Sequence, residues 1–351
     1  MIQRLGDNRP AMQISEALAG LLGVSSGDVE LRPNDPSGAG LVITAAGQTF
    51  VVEFKQTTSA ASVVFAAKKV LEHTKRMRRR GIPLVVVPFM GDVGRRACEE
   101  AGVNWLDLCG NAHIITSGIR VHVEGRPNRF RLAGRPPNLF APKSSRVVRW
   151  LLIHFAEWLT QREIARATGM DEGFVSRIVA RLEREGFIVR GERSAVRPRD
   201  SALLLDAWRE RYQFVRHSIL QGHVAARSGD ALLRFACDAF AAQGVEYAAT
   251  GLAAAWALTH FAAFRVAAIY LTMGPSAPVL ERLGFKEEPR GANLWLVVPN
   301  DAGVFQGAVE KDGIRCAHPV QVYLDLKDQP ERAAEAAERL RGELLTWGRN
   351  A

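Results

Sequence analysis

Apolar residues recur at helical spacing three times in the middle of the chain. The pattern predicts helices over residues 145–157, 160–168 and 171–185. Thr160 followed by Glu163 is typical of a capping box, and Gly169 is typical of a helix end. Because only two residues separate the second helix from the third, we expect a helix-turn-helix.

The third predicted helix has two distinct faces. Four apolar residues recur at the spacing of a buried stripe: Val175, Ile178, Val179 and Leu182. The opposite face contains Ser176, Arg177, Ala180, Arg181 and Arg184. After Gly186, the apolar residues 187–190 and the basic sequence GERSAVRPR predict a β-hairpin wing. Residues 144–200 are therefore interpreted as a winged helix.

A cationic outer face predicts double-stranded DNA as a partner. The candidate DNA-binding residues are Ser176, Arg177, Arg181, Arg184, Arg193, Arg197 and Arg199. Ser176 and Arg177 are expected at base edges and the others at phosphates, with about five phosphate contacts and a log–log salt slope of about −4 to −5. A winged helix that serves only for packing is the alternative, which the arginine-rich outer face disfavours.

The segment TQREIARATGMDEGFVSRIVARLEREGFIVR closely resembles the winged helices of bacterial transcriptional regulators. The resemblance covers about 55 residues and implies a DNA-binding domain. Before it, residues 126–143 contain four prolines and no apolar periodicity, which predicts a linker.

Residues 1–125 alternate between strand and helix patterns, which predicts an α/β domain with a mixed sheet. A hairpin is expected over residues 41–44 and 49–54, followed by a long helix over 59–80. The remaining predicted elements are strands at 84–88, 103–108 and 120–124 and a helix at 93–101.

Glu53 and Lys55 lie two residues apart at the end of an apolar strand, so their side chains share one face. This pair resembles the ExK half of the restriction-endonuclease-like fold, in which a second acid on the preceding strand shares a divalent metal. Gly40 stands where that acid is expected, and Asp35 is the nearest carboxylate. If the site is active, its residues are Glu53, Lys55 and Asp35; the alternative is an ion pair in an inactive domain.

The segment GVNWLDLCGNA, residues 102–112, is similar to a motif of bacterial regulators that join a nuclease-like domain to a winged helix. Within it, a left-handed turn is the expected role of Asn111. The basic cluster at residues 75–80 is expected to complement a helix C-terminus, or else to extend the phosphate-binding surface.

The last third of the chain predicts a connecting helix over residues 202–223, within a linking region 201–229, and an α+β domain over 230–351. The segments YAATGLAAA, HPVQVYLDLK and PERAAEAAERL resemble the carboxy-terminal domain of AbiEi-type antitoxins of type IV toxin–antitoxin systems. That resemblance implies a winged-helix protein that represses its own operon. In those proteins the winged helix usually begins the chain, whereas here it is central.

A strand-turn-helix near residue 250 also suggests a nucleotidyltransferase. The strand at residues 265–271 has no Asp-x-Asp pair for two metals, so this activity is disfavoured. Asp325 is expected to act as a structural cap.

Composition narrows these interpretations. The chain has 351 residues, 47% of them apolar, with a net charge of +9, which excludes a disordered chain and indicates two or three domains. Residues 126–199 contain 16 basic and 7 acidic residues, so they account for the whole surplus. We expect this surplus to lie on the DNA-facing surface.

The absence of several common motifs argues against several classes of protein. No secretion signal, membrane-spanning run, zinc pattern, P-loop or common hydrolase motif is present, and the four cysteines are spaced as buried thiols. These features predict a cytoplasmic protein without a cofactor.

The sequence thus predicts a multidomain protein: a restriction-endonuclease-like mixed sheet, a central winged helix and a C-terminal α+β domain. The favoured function is a sequence-specific transcriptional regulator, an antitoxin-type autorepressor that forms a homodimer, with a cognate toxin as a further partner and no membrane association. A metal-dependent DNA nuclease and a ligand-responsive repressor are the alternatives.

Overall fold

A computed structural model describes residues 9–33, 40–77, 81–130, 138–327 and 329–347. The chain divides into two compact units, Met1–Pro136 and Pro137–Ala351.

The first unit is a sheet with helices on both faces. Its helices are α1 (Arg9–Leu22), α2 (Ala60–Arg76) and α3 (Asp92–Glu100). Its strands are β1 (Glu30–Pro33), β2 (Leu41–Ala45), β3 (Gln48–Phe54), β4 (Ile82–Val87), β5 (Asn104–Asp107), β6 (Ala112–Ile115) and β7 (Arg120–Val123).

The seven strands follow their sequence order across the sheet. Strands β3, β4 and β5 are parallel, and the other neighbours are antiparallel, so the predicted mixed sheet is confirmed. Alternate residues point to opposite faces and form two cores, one with α2 and α3 around Val85 and Trp105, the other with α1 around Ile43 and Leu106.

Several details of this unit differ from the sequence prediction. Helix α1 and strands β1 and β6 were not predicted, and α2 reaches its C-cap at Met77 instead of residue 80. In the turn after β5, the positive φ belongs to Gly110 (99°) and not to Asn111. Asn111 is instead buried, and its Nδ2 donates to Asp107 Oδ2 at 2.9 Å. Asp35 and Arg78–Arg80 lie outside the described residues.

The second unit begins with a winged-helix arrangement. Its helices are α4 (Ser145–Ile153), α5 (Gln161–Thr168) and α6 (Glu172–Arg184), and its wing strands are β8 (Ile188–Arg190) and β9 (Val196–Pro198). The three predicted helices are confirmed, although the first ends four residues early, at Ile153. Leu159 adds a bridge to Val196 beside the wing.

The rest of the second unit is built on another seven-stranded sheet. Its helices are α7 (Ser201–Arg211), α8 (Gly229–Ala242), α9 (Gly251–Thr259), α10 (Ala277–Leu283), α11 (Pro319–Asp325) and α12 (Ala333–Leu344). Its strands are β10 (Ser218–His223), β11 (Tyr247–Thr250), β12 (Ala267–Leu271), β13 (Lys286–Glu287), β14 (Leu294–Val298), β15 (Val309–Lys311) and β16 (Ile314–Cys316). They are arranged in the order β13-β10-β14-β12-β11-β16-β15.

The predicted connecting helix is wrong in its second half. Helix α7 ends at Arg211, and residues Ser218–His223 form a strand that pairs antiparallel with β14. Because its partner lies about 75 residues further along the chain, local periodicity gave no signal for this pairing. Region 201–229 is therefore part of the C-terminal sheet domain and not a linker.

The four cysteines are buried and unpaired, as predicted. Burial raises the pKa of the Cys98, Cys237 and Cys316 thiols to about 12, so these thiols are protonated and inert at neutral pH. Within the described residues, no helix is both long enough and apolar enough to cross a membrane.

Candidate nucleic-acid interface

Helix α6 has a buried apolar face and an exposed polar face. Val175, Ile178, Val179 and Leu182 are all buried, which confirms the predicted stripe. The helix starts at Asp171, whose Oδ1 accepts from the Phe174 backbone N–H at 3.0 Å. Since the stripe packs inward, the opposite face of the helix is turned to solvent.

The predicted DNA-binding residues of α6 differ in their availability. Arg177 and Arg184 are exposed and, among the described residues, form no ion pair; Arg177 lies 5.7 Å from the Phe174 ring centroid. Arg181 differs, because its side chain is 17% exposed and its Nε lies 2.7 Å from Glu185 Oε1. Ser176 is half-buried. Of the three arginines on this face, Arg177 and Arg184 are therefore free to meet a ligand, and they lie one turn on either side of Arg181.

The wing presents three more exposed arginines: Arg193, Arg197 and Arg199. Arg193 and Ser194 at its tip have φ of 50° and 61°, a left-handed conformation that turns the chain sharply. The Arg197 guanidinium lies 4.5 Å from the centroid of the Trp158 ring. This stacking fixes the direction of one wing arginine while leaving its charge in solvent.

Two local interactions hold the wing and the turn in place. Arg190 donates to both carboxylate oxygens of Glu183, at 3.0 and 2.6 Å, which ties the wing to α6. In α5, the capping box between Thr160 and Glu163 is present as predicted, and its hydrogen bonds lower the pKa of Glu163. The helix-turn-helix is thus fixed by its own side chains.

Comparison with protein families divides this unit into two parts. Residues 141–197 match the model of the MarR family. Residues 198–346 match the family described as transcriptional regulator, AbiEi antitoxin, type IV toxin–antitoxin system. The second unit therefore contains a segment that matches the MarR family, followed by one that matches AbiEi antitoxins; they are called the MarR-family domain and the AbiEi-type domain. No curated protein and no solved structure matches the chain.

These matches confirm the resemblances inferred from the sequence for the winged helix and for the C-terminal domain, and neither match includes residues 1–125. The AbiEi-type match begins at residue 198, so it includes α7 and strand β10, which belong to the same sheet domain.

Helix α4 attaches the MarR-family domain to the AbiEi-type domain. Arg146 donates from Nε and Nη2 to the two carboxylate oxygens of Asp301, at 2.7 and 2.9 Å. Arg149 is 3% exposed, and its Nη2 donates to Gln321 Oε1 at 2.6 Å. The expectation that the whole positive surplus faces DNA is therefore wrong for Arg149, which is buried between the two domains.

Asp325 is the centre of a buried polar network in the AbiEi-type domain. It accepts hydrogen bonds from four donors, namely the hydroxyls of Tyr212, Thr250 and Tyr270 and the amide of Gln321. Burial raises the pKa of this carboxyl to about 6 in spite of the four donors. The expected structural cap is thus a network hub that joins α7, β11, β12 and α11.

The sequence does not predict that Arg149, Gln321, Tyr212 and Asp325 lie together. Gln321 is 172 positions from Arg149, and Asp325 is 113 positions from Tyr212. The signal that was present is a set of polar residues, Gln321 and Asp325, inside the apolar segment HPVQVYLDL, since buried polar groups require partners.

In the first unit, Glu53 and Lys55 form the ion pair that was one of the two expected outcomes. The Glu53 side chain is 6% exposed, and Lys55 Nζ lies 2.8 Å from its Oε1. Lys69 of α2, which was not predicted, donates to both Glu53 oxygens at 2.9 and 3.0 Å. One carboxylate is therefore held between two ammonium groups.

Among the residues the structure describes, Glu53 forms ion pairs with Lys55 and Lys69, and Asp35, the nearest carboxylate in the sequence, lies outside those residues. Across those residues, no group of three or more His, Cys, Asp or Glu side chains is arranged to hold a metal ion. Two lysines already neutralise the single acid, and a divalent cation there would meet net positive charge.

Proposed function

We propose that this protein is a sequence-specific DNA-binding transcriptional regulator of the antitoxin type. The observation that carries the proposal is the outer face of α6, where Arg177 and Arg184 are exposed and free of ion pairs. The apolar stripe on the other face fixes the helix in the MarR-family domain, so these guanidiniums project towards solvent. Such a face suits the major groove of duplex DNA.

Each candidate residue has a role in this proposal. Ser176 and Arg177 contact base edges, because residues in the first half of a recognition helix lie deepest in the groove. Arg184 and the wing residues Arg193, Arg197 and Arg199 contact phosphates, which position the helix without sequence preference. Arg181 reaches a phosphate only if its ion pair with Glu185 opens, so its contribution is the smallest.

The AbiEi-type match supports a finer functional proposal. We propose that the protein represses its own operon as a homodimer on a two-fold operator and that a cognate toxin is encoded beside it. The test is a footprint on the DNA upstream of the gene. Protection of two half-sites related by two-fold symmetry is the expected result, whereas uniform protection of unrelated DNA would contradict sequence-specific regulation.

We also propose that the first unit is an inactive domain of the restriction-endonuclease-like kind. In support, the order of α1, three antiparallel strands, α2 and the parallel strand β4 corresponds to that fold, with Glu53 and Lys55 at the end of β3. The two lysines around Glu53 disfavour binding of the Mg²⁺ that a nuclease requires.

A nicking assay on supercoiled plasmid with Mg²⁺ or Mn²⁺ tests this prediction. No cleavage is expected from the wild-type protein, and none from Glu53→Gln or Lys69→Met. Metal-dependent cleavage that Glu53→Gln abolishes would establish the nuclease alternative and contradict the inactive assignment.

A further inference from the structure

A small cavity lies between the MarR-family domain and the AbiEi-type domain. Its volume is about 40 Å³, which is room for about three water-sized groups. Ser145 and Arg149 of α4 line one side, and Trp208, Tyr212 and Gln321 line the other. Any group bound there would contact both domains.

The base of this cavity contains a guanidinium with unused hydrogen-bond donors. Arg149 is 3% exposed, and neither its Nε nor its Nη1 has a protein acceptor among the described residues. Its single protein hydrogen bond goes from Nη2 to Gln321 Oε1, and its guanidinium stacks 5.1 Å from the Trp208 ring centroid. Since burying an unmatched charged donor is unfavourable, an acceptor in the cavity would stabilise the folded protein.

Gly303 packs closely against this guanidinium. A Cβ atom at residue 303 would lie 2.7 Å from Asp301 Oδ1 and 2.8 Å from both Arg149 Nη1 and Arg146 Cγ. A larger residue would therefore shift at least one of these three side chains.

The charges around the cavity favour an anion. Arg211 and Arg216 are exposed at its mouth, so three guanidiniums line it together with Arg149. The carboxylate of Asp301 also lines it, but Arg146 binds both of its oxygens, at 2.7 and 2.9 Å. Asp325 lies behind Gln321, whose Nε2 donates to Asp325 Oδ1 at 2.8 Å, so it balances the charge of Arg149 only indirectly.

From this geometry we infer that the cavity is a binding site for an oxyanion group, a carboxylate or a phosphate, held by Arg149 at its base and attracted by Arg211 and Arg216 at its mouth. Oxyanions satisfy guanidinium donors with strong charge-assisted hydrogen bonds. Because the walls come from two domains, occupancy is thermodynamically coupled to their docking.

The test is calorimetric titration of the full-length protein with sodium phosphate and, separately, with sodium acetate. Both run in Tris–chloride at constant ionic strength, so that chloride is the reference anion. Saturable binding of one anion per chain is expected. Saturation by phosphate alone or by acetate alone identifies the chemistry of the ligand, and the absence of saturable binding by either overturns the inference.

Variants locate the bound anion. Arg149→Lys is expected to weaken binding at least about tenfold, because the ammonium loses the planar donors. Arg216 is exposed, so Arg216→Ala is expected to leave the fold intact. It is expected to weaken binding about threefold, because the anion loses the electrostatic attraction of this guanidinium. Arg282→Ala, an exposed arginine on α10, is the matched control and is expected to leave binding unchanged.

The recognition helix is the rival location for an anion. If Arg184→Ala abolishes phosphate binding, or if Arg149→Lys and Arg216→Ala both leave it unchanged, the anion lies at the DNA interface or elsewhere and the inference is wrong. If Arg149→Lys does not fold, the phosphate affinity of Arg216→Ala compared with that of Arg282→Ala still tests the location of the anion.

Discussion

His217 is buried and His318 is half-buried, and the hydrogen bonds of both imidazoles require the neutral form. In each, Nδ1 accepts a backbone N–H, from Asn300 at 3.2 Å and from Val320 at 3.1 Å respectively. Burial, together with the nearby charge of Arg149, lowers the pKa of both rings from 6.5 to about 4. Protonation would place a donor against a donor and a charge beside Arg149.

These pKa shifts make the free energy of unfolding depend on pH. The two histidines stabilise the fold above pH 6.5, and their contribution is lost as the pH falls towards about 4. Asp325 acts in the opposite direction. Because its pKa is raised to about 6, its contribution is largest below its unfolded value of 3.8 and is lost as the pH rises through about 6.

Two variants are expected to change this pH dependence in opposite directions. In the wild-type protein the unfolded state takes up a proton at His217 before the folded state does, and His217→Gln removes this difference. The free energy of unfolding is therefore expected to fall less steeply on acidification, by up to about 1.4 kcal/mol per pH unit. Asp325→Asn removes the carboxyl whose contribution grows on acidification, so the free energy of unfolding is expected to fall more steeply, by a similar amount. Urea unfolding at several pH values between 4.5 and 7 measures both slopes, and profiles parallel to wild type would contradict the assigned pKa directions.

The wing contains a glycine, Gly191, that lies directly beside the Trp158 ring. A Cβ on Gly191 would lie 2.7 Å from the Trp158 ring, on which Arg197 stacks at 4.5 Å. The ring is 44% exposed, so it can move away, but the Arg197 stack would move with it.

Gly191→Ala is therefore expected to weaken DNA binding about two- to fivefold while the recognition helix stays folded. Fluorescence anisotropy with a labelled duplex measures the change. Gly342→Ala on α12, where a Cβ would meet nothing within 4 Å, is the matched control. An affinity of Gly191→Ala equal to that of the control would show that Arg197 does not contact DNA.

Elements with local signals could be predicted from the sequence, and elements with distant partners could not. The capping box at Thr160 and the apolar stripe of α6 depend on residues three or four apart, so periodicity revealed both. Strand β10 lacks a clear alternation of apolar and polar residues and forms by pairing with the distant strand β14, so its own sequence predicts a helix. The Arg149 cluster was missed for the same reason, since its members meet only in the folded chain.

The basic residues of the chain fall into two groups, those engaged inside the protein and those exposed to solvent. Residues 126–199 carry the entire surplus of +9, but part of it is engaged inside the protein. Arg146 and Arg149 bind the AbiEi-type domain, and Arg181 and Arg190 pair with acids of their own domain. Composition located the basic region, whereas the structure separates the arginines that hold the molecule together from those left for a partner.

We propose that duplex DNA binds through α6 and the wing. The affinity of the full-length protein for its own upstream DNA, measured at several salt concentrations, tests this binding mode. The wild-type protein is expected to show a log–log slope of about −4 to −5, and Arg184→Ala and Arg193→Ala to reduce it by about 0.9 each. Arg177→Ala is expected to cost about 1–3 kcal/mol and to relax sequence preference, while Arg282→Ala changes neither quantity. If the combined Arg177→Ala, Arg184→Ala and Arg193→Ala variant binds with the wild-type affinity and slope, DNA does not bind at this surface.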